Sequence, residues 1–203
     1  TYSAKDKNQE LNRYDERAEK ILLGKDFITY DQLGAISIPR VFRQPYLKYE
    51  KNHKDFIKAS FKVLEIAAGT GVFSKSILDS GARSFITDIS SNSLKVFQKR
   101  YLKFSNKVFL QAADMEKLPF RENNFDIISS AGSLSYGDNK VVMNEIYRLL
   151  KPGGIFICID SLNENPIYRF NRWISYKRGR RTYSTLINMP TLRLIDEYKE
   201  NFD

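Results

Sequence analysis

The chain reads as an α/β protein built on a doubly wound, mainly parallel sheet. Three observations support this. Short apolar runs alternate with helical stretches from Phe61 onward, the order expected when strands are joined by crossover helices. These runs are apolar at successive positions, as strands are when helices cover both faces of a parallel sheet. Two glycines, Gly69 and Gly71, follow the first run directly, at the carboxyl edge where open α/β sheets bind ligands.

The elements follow in order. From Glu10 to Leu23 the apolar residues Leu11, Tyr14, Ala18, Ile21 and Leu22 recur at spacings of three and four, which predicts an amphipathic helix. Gly34 to Pro45 reads as an irregular linker, and Tyr46 to Ile57 as a further helix. Lys62 to Ala67 is the first strand, followed by a glycine loop and a helix from Phe73 to Asp79. Ser84 to Thr87 is the second strand and ends at Asp88. Ser91 to Phe104 then puts Leu94, Phe97, Tyr101 and Phe104 on one helical face. Lys107 to Gln111 and Phe125 to Ser130 are the third and fourth strands. Asn139 to Leu150 is a helix with Val142, Ile146, Leu149 and Leu150 inward, and Ile155 to Ile159 is the fifth strand. The expected organisation is an N-terminal helical cap (1–60), an α/β core (61–161) and a basic helical segment (162–203) within the same domain.

Composition narrows the function classes. With 203 residues, 42% of them hydrophobic, the chain is long enough and apolar enough for one packed core. No run approaches the roughly 18 apolar residues of a membrane-spanning helix, and the opening residues lack the apolar centre of a signal peptide, so the cytoplasm is the expected compartment. The only cysteine, Cys158, lies in Ile155–Ile159 and reads as a small core residue with no disulfide or multi-cysteine metal role; no metal site is expected. A formal charge of +9 favours an anionic partner: a nucleic acid, a phospholipid surface or a phosphorylated substrate.

The residues at the strand ends point to a nucleoside. A glycine bend between strand and helix admits a ligand to the backbone. Asp88 can accept from both hydroxyls of a ribose. Asp114 can accept from an adenine amino group, with Met115 covering the base. Read structurally, the glycine bend is an ordinary strand-to-helix turn and Asp114 a loop cap or turn. The Gly69-x-Gly71-x-x-Ser74 spacing overlaps the dinucleotide fingerprint but lacks its third Gly or Ala.

In sequence order, Glu65-Ile66-Ala67-Ala68-Gly69-Thr70-Gly71, Asp88, Asp114-Met115-Glu116-Lys117-Leu118-Pro119-Phe120, Phe125-Asp126-Ile127-Ile128 and Leu149-Leu150-Lys151-Pro152-Gly153-Gly154 resemble the motifs of class I methyltransferases, enzymes with a Rossmann-like fold that use S-adenosylmethionine (SAM). The resemblance covers about Val63 to Asp160. It departs from the family pattern at Ala67, where a glycine is common. It implies SAM as cofactor and S-adenosylhomocysteine (SAH) as product. It also implies that Glu65 and the Ala67, Ala68, Gly69, Thr70 and Gly71 loop lie near the methionine moiety, Asp88 and Ile89 at the ribose, Asp114 and Met115 at the adenine, and Ser130, Ala131 and Gly132 at the sulfonium. The family normally ends in a further strand pair, and none is legible after Ile159.

The acceptor side is less defined. Methyl transfer from a sulfonium needs alignment more than acid–base chemistry. If a base is used, the candidates are Tyr136 and Asp138 in the loop after the fourth strand, Asp160, and His53. Asp138 also reads as a helix cap, Tyr136 as a pocket wall and His53 as a solvated side chain. Pro39 to Tyr46 and Ser184 to Pro190 resemble segments of bacterial methyltransferases from polysaccharide and lipid-glycan pathways, which implies Arg43 at the SAM carboxylate and Tyr46 or Tyr14 closing the pocket. Tyr168 to Tyr183 holds six cations and no acid, interleaved with Phe170, Trp173 and Tyr176. A small-molecule, glycan or lipid-linked acceptor, an RNA backbone and a merely solvated helix all fit that composition, as does a SAM-binding module without catalysis.

Overall fold

The computed structural model describes residues 2–24 and 33–202; residues 25–32 of the expected cap, and the end residues Thr1 and Asp203, lie outside them. Five strands, all parallel, form one sheet in the order β3-β2-β1-β4-β5. They are β1 (Lys62–Glu65), β2 (Arg83–Asp88), β3 (Val108–Ala112), β4 (Phe125–Ala131) and β5 (Leu150–Ile159). The chain enters at the centre, winds outward through β2 and β3, then returns to the other side of β1. Strand order therefore reverses between β1 and β4, which leaves a crevice beyond their carboxyl ends.

Alternation along the central strands explains their apolar character. Leu64 and Ile128 enter one core with Val142, Ile146 and Leu149 of α5 (Asn139–Leu149), while the adjacent Val63 and Ile127 enter the opposite core with Tyr49 of α2 (Gln44–Phe56) and Ile77 of α3 (Lys75–Asp79). Successive side chains of a strand point to opposite faces, so a strand covered on both sides has no polar alternation to keep. Beyond β2, Leu94 and Phe97 of α4 (Ser91–Arg100) close a third cluster.

Several elements differ from their expected extent. The first helix, α1, runs Ala4–Leu22, because the Ser3 hydroxyl caps it by accepting from Asp6 N–H at 3.0 Å. The linker contains two 3-10 turns, Gly34–Ser37 and Arg40–Phe42. β5 begins at Leu150, five positions before the expected start. Leu150 pairs with Phe125, a register shift follows, and Gly153 turns there with φ +74°. Pro152 is tolerated because β5 is an edge strand. Edge placement also corrects the expectation for Cys158, which is exposed, while its neighbour Ile157 is buried. After β5 the described chain is helical: α6 (Pro166–Lys177), α7 (Tyr183–Ile187) and α8 (Leu192–Phe202). No described helix is long and apolar enough to cross a membrane.

α1 connects the two ends of the chain across the crevice. Ala18 and Ile21 pack against Val96 of α4. Asp6 accepts from Ser184 N–H at 2.8 Å, and Glu10 from Thr182 N–H at 3.0 Å.

Candidate functional site

The turn after β1 fixes the geometry of the crevice. Ala67 and Gly69 take left-handed φ angles of 49° and 56°, which lift the backbone away from the strand line. For Ala67 this conformation is strained, and it is the position where the related motif commonly has glycine. Gly69 N–H donates to Asp88 Oδ2 at 2.7 Å and Ser90 N–H to Asp88 Oδ1 at 2.8 Å. The end of β2 is thereby fastened to the β1 turn. Asp88 is 8% exposed; burial raises its pKa, and the two amide donors oppose that rise.

These strand ends surround a cavity of about 210 Å³. Ala67, Ala68, Gly69 and Thr70 form one wall, and Asp88 with Ile89 continues it. Asp114 and Met115 bound the cavity beyond β3. Ala131, Gly132 and Tyr136 close the far end after β4, and Tyr14 covers it from α1. A Cβ at Gly69 or Gly132 would meet nothing within 4 Å, so the backbone there faces open space. Gly71 is different: a Cβ would lie 2.5 Å from a Phe97 ring atom, and the Tyr101 hydroxyl donates to Gly71 O at 2.7 Å. Its lack of a side chain serves packing against α4.

Glu65 and Ser130 lie beneath this lining. Glu65 is 2% exposed, and burial raises its pKa to about 8, with the Asp88 charge adding to the rise. The Ser130 hydroxyl is bonded to that of Ser133, which does line the cavity.

Four further expected residues stand outside the lining. His53 is fully buried between helix and sheet, with Nδ1 2.7 Å from Ser76 Oγ and Nε2 2.8 Å from Ser129 Oγ. It is neither a solvated side chain nor a wall of the cleft, and burial lowers its pKa to about 4. Asp138 caps α5, accepting from Lys140 and Val141 N–H. Arg43 donates to the carbonyls of Ile36 and Ile38, closing the 3-10 turns. Tyr46 stacks on Phe73 at 4.9 Å and so touches the lining through that ring.

One lining residue missed from sequence, Lys7, comes from α1. Lys7 Nζ lies 2.7 Å from Asp114 Oδ2 and 2.8 Å from Glu116 Oε2, so a cation of the chain itself occupies the carboxylate expected to meet an adenine. Tyr14, expected from sequence to close the pocket, lines the cavity and donates its hydroxyl to that of Tyr136 at 2.8 Å, with the rings edge-on. The Ser3-x-x-Asp6 cap was the available signal that α1 begins early enough to bring Lys7 to the cleft.

The chain matches a family model described as "Methyltransferase domain" over residues 64–158. It is similar to the ubiquinone/menaquinone biosynthesis C-methyltransferase UbiE of Neisseria gonorrhoeae, 31% identical over 157 residues, covering 72% of this chain and 61% of that relative. Among solved structures it resembles the YcgJ protein of Bacillus subtilis (TM-score 0.64, 20% identity, 76% of this chain and 67% of that one). It also resembles a SAM-dependent methyltransferase of Aquifex aeolicus (TM-score 0.57, 17% identity, 76% and 78%). The chain spans 61% of the UbiE relative's length, and the likeness to the solved structures is one of fold.

Proposed function

We infer that the chain carries a class I SAM-dependent methyltransferase domain and transfers a methyl group from SAM to a small-molecule acceptor, releasing SAH. The observation that supports this most directly is the convergence of Asp88, Asp114 and the Gly69 turn on one cavity. A glycan or lipid-linked acceptor is the finer form of the proposal, supported by the basic α6–α7 surface. A lone cysteine and the lack of a spanning helix among the described residues agree with a cytoplasmic location, which we also propose.

The residues present suit an adenosyl group. The open backbone at Gly69 and Gly132 leaves room at both ends of the cavity. Each Asp88 oxygen accepts one amide and keeps a further lone pair for a ribose hydroxyl. Asp114 and Met115 would take the adenine edge and face, Lys7 yielding its place on Asp114. Glu65, one oxygen of which is buried with no hydrogen-bond partner, would sit below the methionine end. When bound, SAM supplies an activated methyl on a sulfonium. The chain's part is to hold the acceptor in line with that methyl and to keep water out. Tyr136, held by Tyr14 and Arg181, would orient the acceptor's attacking atom, while Asp138 and His53 act on the fold.

Transfer of labelled methyl from SAM tests the reading. A mixture of phosphorylated, glycosylated and quinol small molecules should yield a labelled product and SAH. Folded protein that yields neither with any acceptor class would remove the proposal.

A further inference from the structure

Two guanidiniums stand at the acceptor end of the cleft outside any ion pair among the described residues. Arg172 of α6 donates from Nη1 to Ser135 Oγ at 3.1 Å. Arg181, just before α7, donates from Nη1 to the Tyr136 hydroxyl, and its guanidinium carbon lies 5.5 Å from that ring's centroid. Ser135 and Tyr136 share one 3-10 turn, Leu134–Tyr136, and Tyr136 lines the cavity. Both cations are thus carried to the cavity's far end.

Their surroundings differ from those of the paired arginines of the fold. Arg13 is paired with Glu10 and Arg148 with Glu145. No ion pair among the described residues includes Arg172 or Arg181. Asp160, whose charge both feel, has its oxygens engaged by Leu134 N–H at 2.9 Å and Ser161 N–H at 2.7 Å. Both side chains are partly buried. Burial, then the charge of Arg181, lowers the pKa of Arg172. Like charges held together and half out of water cost free energy that an anion between them would offset.

We propose that Arg172 and Arg181 form an anion subsite that takes a phosphate group carried by the methyl acceptor. The planar guanidinium fork matches phosphate oxygens, and the Ser135 and Tyr136 hydroxyls supply further hydrogen bonds. The acceptor is then a phosphoester whose attacking atom reaches past Tyr136 toward the methyl. That use of the subsite rests on the methyltransferase reading; anion binding itself does not. The phosphate belongs either to a soluble ester or to a lipid headgroup. For the latter, Ile167, Phe170 and Trp173 are exposed on α6 by 60%, 58% and 47%.

Calorimetry with inorganic phosphate, and sedimentation with phosphatidylcholine vesicles with and without phosphatidate, test the proposal on wild type, R172Q, R181Q and the exposed control R180Q. SAH is titrated in parallel. Phosphate binding should weaken about tenfold in R172Q and in R181Q and stay near wild type in R180Q, with SAH affinity unchanged. Absent phosphate binding, or equal weakening in R180Q, overturns the subsite. Should either variant fail to fold, the ¹⁵Nε resonances of Arg172 and Arg181 in the wild type decide: both shift on adding phosphate, or the proposal fails. Arginine-dependent binding to phosphatidate vesicles assigns the phosphate to a lipid. Phosphate binding without vesicle binding assigns it to a soluble ester, and vesicle binding indifferent to both arginines contradicts the subsite. Loss of SAH binding with phosphate binding intact refutes the methyltransferase reading and leaves the subsite standing.

Discussion

Asp88 serves fold and ligand with the same two oxygens. In D88N one of the amides of Gly69 and Ser90 would face an NH₂ group, and the ribose would lose a charged acceptor. SAH affinity measured by calorimetry should fall about tenfold or more; an unchanged affinity would remove Asp88 from the site. Lys7 works in the opposite direction. In K7M the cation leaves Asp114, and since such a part-exposed pair contributes under about 1 kcal/mol, SAH should bind a few-fold tighter. Weaker binding would mean that Lys7 helps to hold the ligand. At this scale the sequence was informative where chemistry follows a strand end: Asp88, Asp114, Met115 and Tyr136 all line the cavity. It was silent on Lys7, which reaches Asp114 across 107 positions. Nor did it mark the burial of His53, because the flanking Lys51 and Lys54 belong to the outward face of the same helix.

Helices and strands were legible where periodicity is strong. The α4 and α5 stripes and the central strands were placed within a few residues, because both are dictated by burial on fixed faces. The start of β5 was not, since Lys151-Pro152-Gly153-Gly154 reads as a turn and only pairing with β4 extends the strand through it. The capping of α5 separates two readings of Asp138. As a cap it contributes about 1 kcal/mol, so D138A should lower stability to urea by that amount and leave methyl transfer within about twofold. A variant of undiminished stability whose turnover collapses would make Asp138 a catalytic group instead.

Across the whole molecule, two buried groups pull stability in opposite directions with pH. His53 has its pKa lowered from 6.5 to about 4, so between those values the unfolded chain binds a proton that the folded one refuses, and stability rises with pH. Glu65 has its pKa raised from 4.5 to about 8, so between those values the folded chain keeps a proton that the unfolded one has lost, and stability falls with pH. The two slopes oppose each other where the windows overlap, from 4.5 to 6.5. From there to about pH 8 only Glu65 acts, at about 1.4 kcal/mol per unit, a loss of roughly 2 kcal/mol. Thermal unfolding should show Tm falling over that range in the wild type and level in E65Q; a decline that persists in E65Q would assign it elsewhere. The doubly wound architecture itself was readable in advance, because alternation and two-sided burial leave few other topologies. The path of α1 over the crevice depends on contacts with residues 182 and 184 that no local pattern encodes.

The most direct measurement is a crystal structure with SAH bound. The expected result is an adenosine whose ribose hydroxyls meet Asp88, whose base lies between Asp114 and Met115, and whose sulfur points toward Gly132 and Tyr136. Density for SAH outside the Gly69 cavity, or a folded protein that takes up no SAH at saturating concentration, would contradict the account.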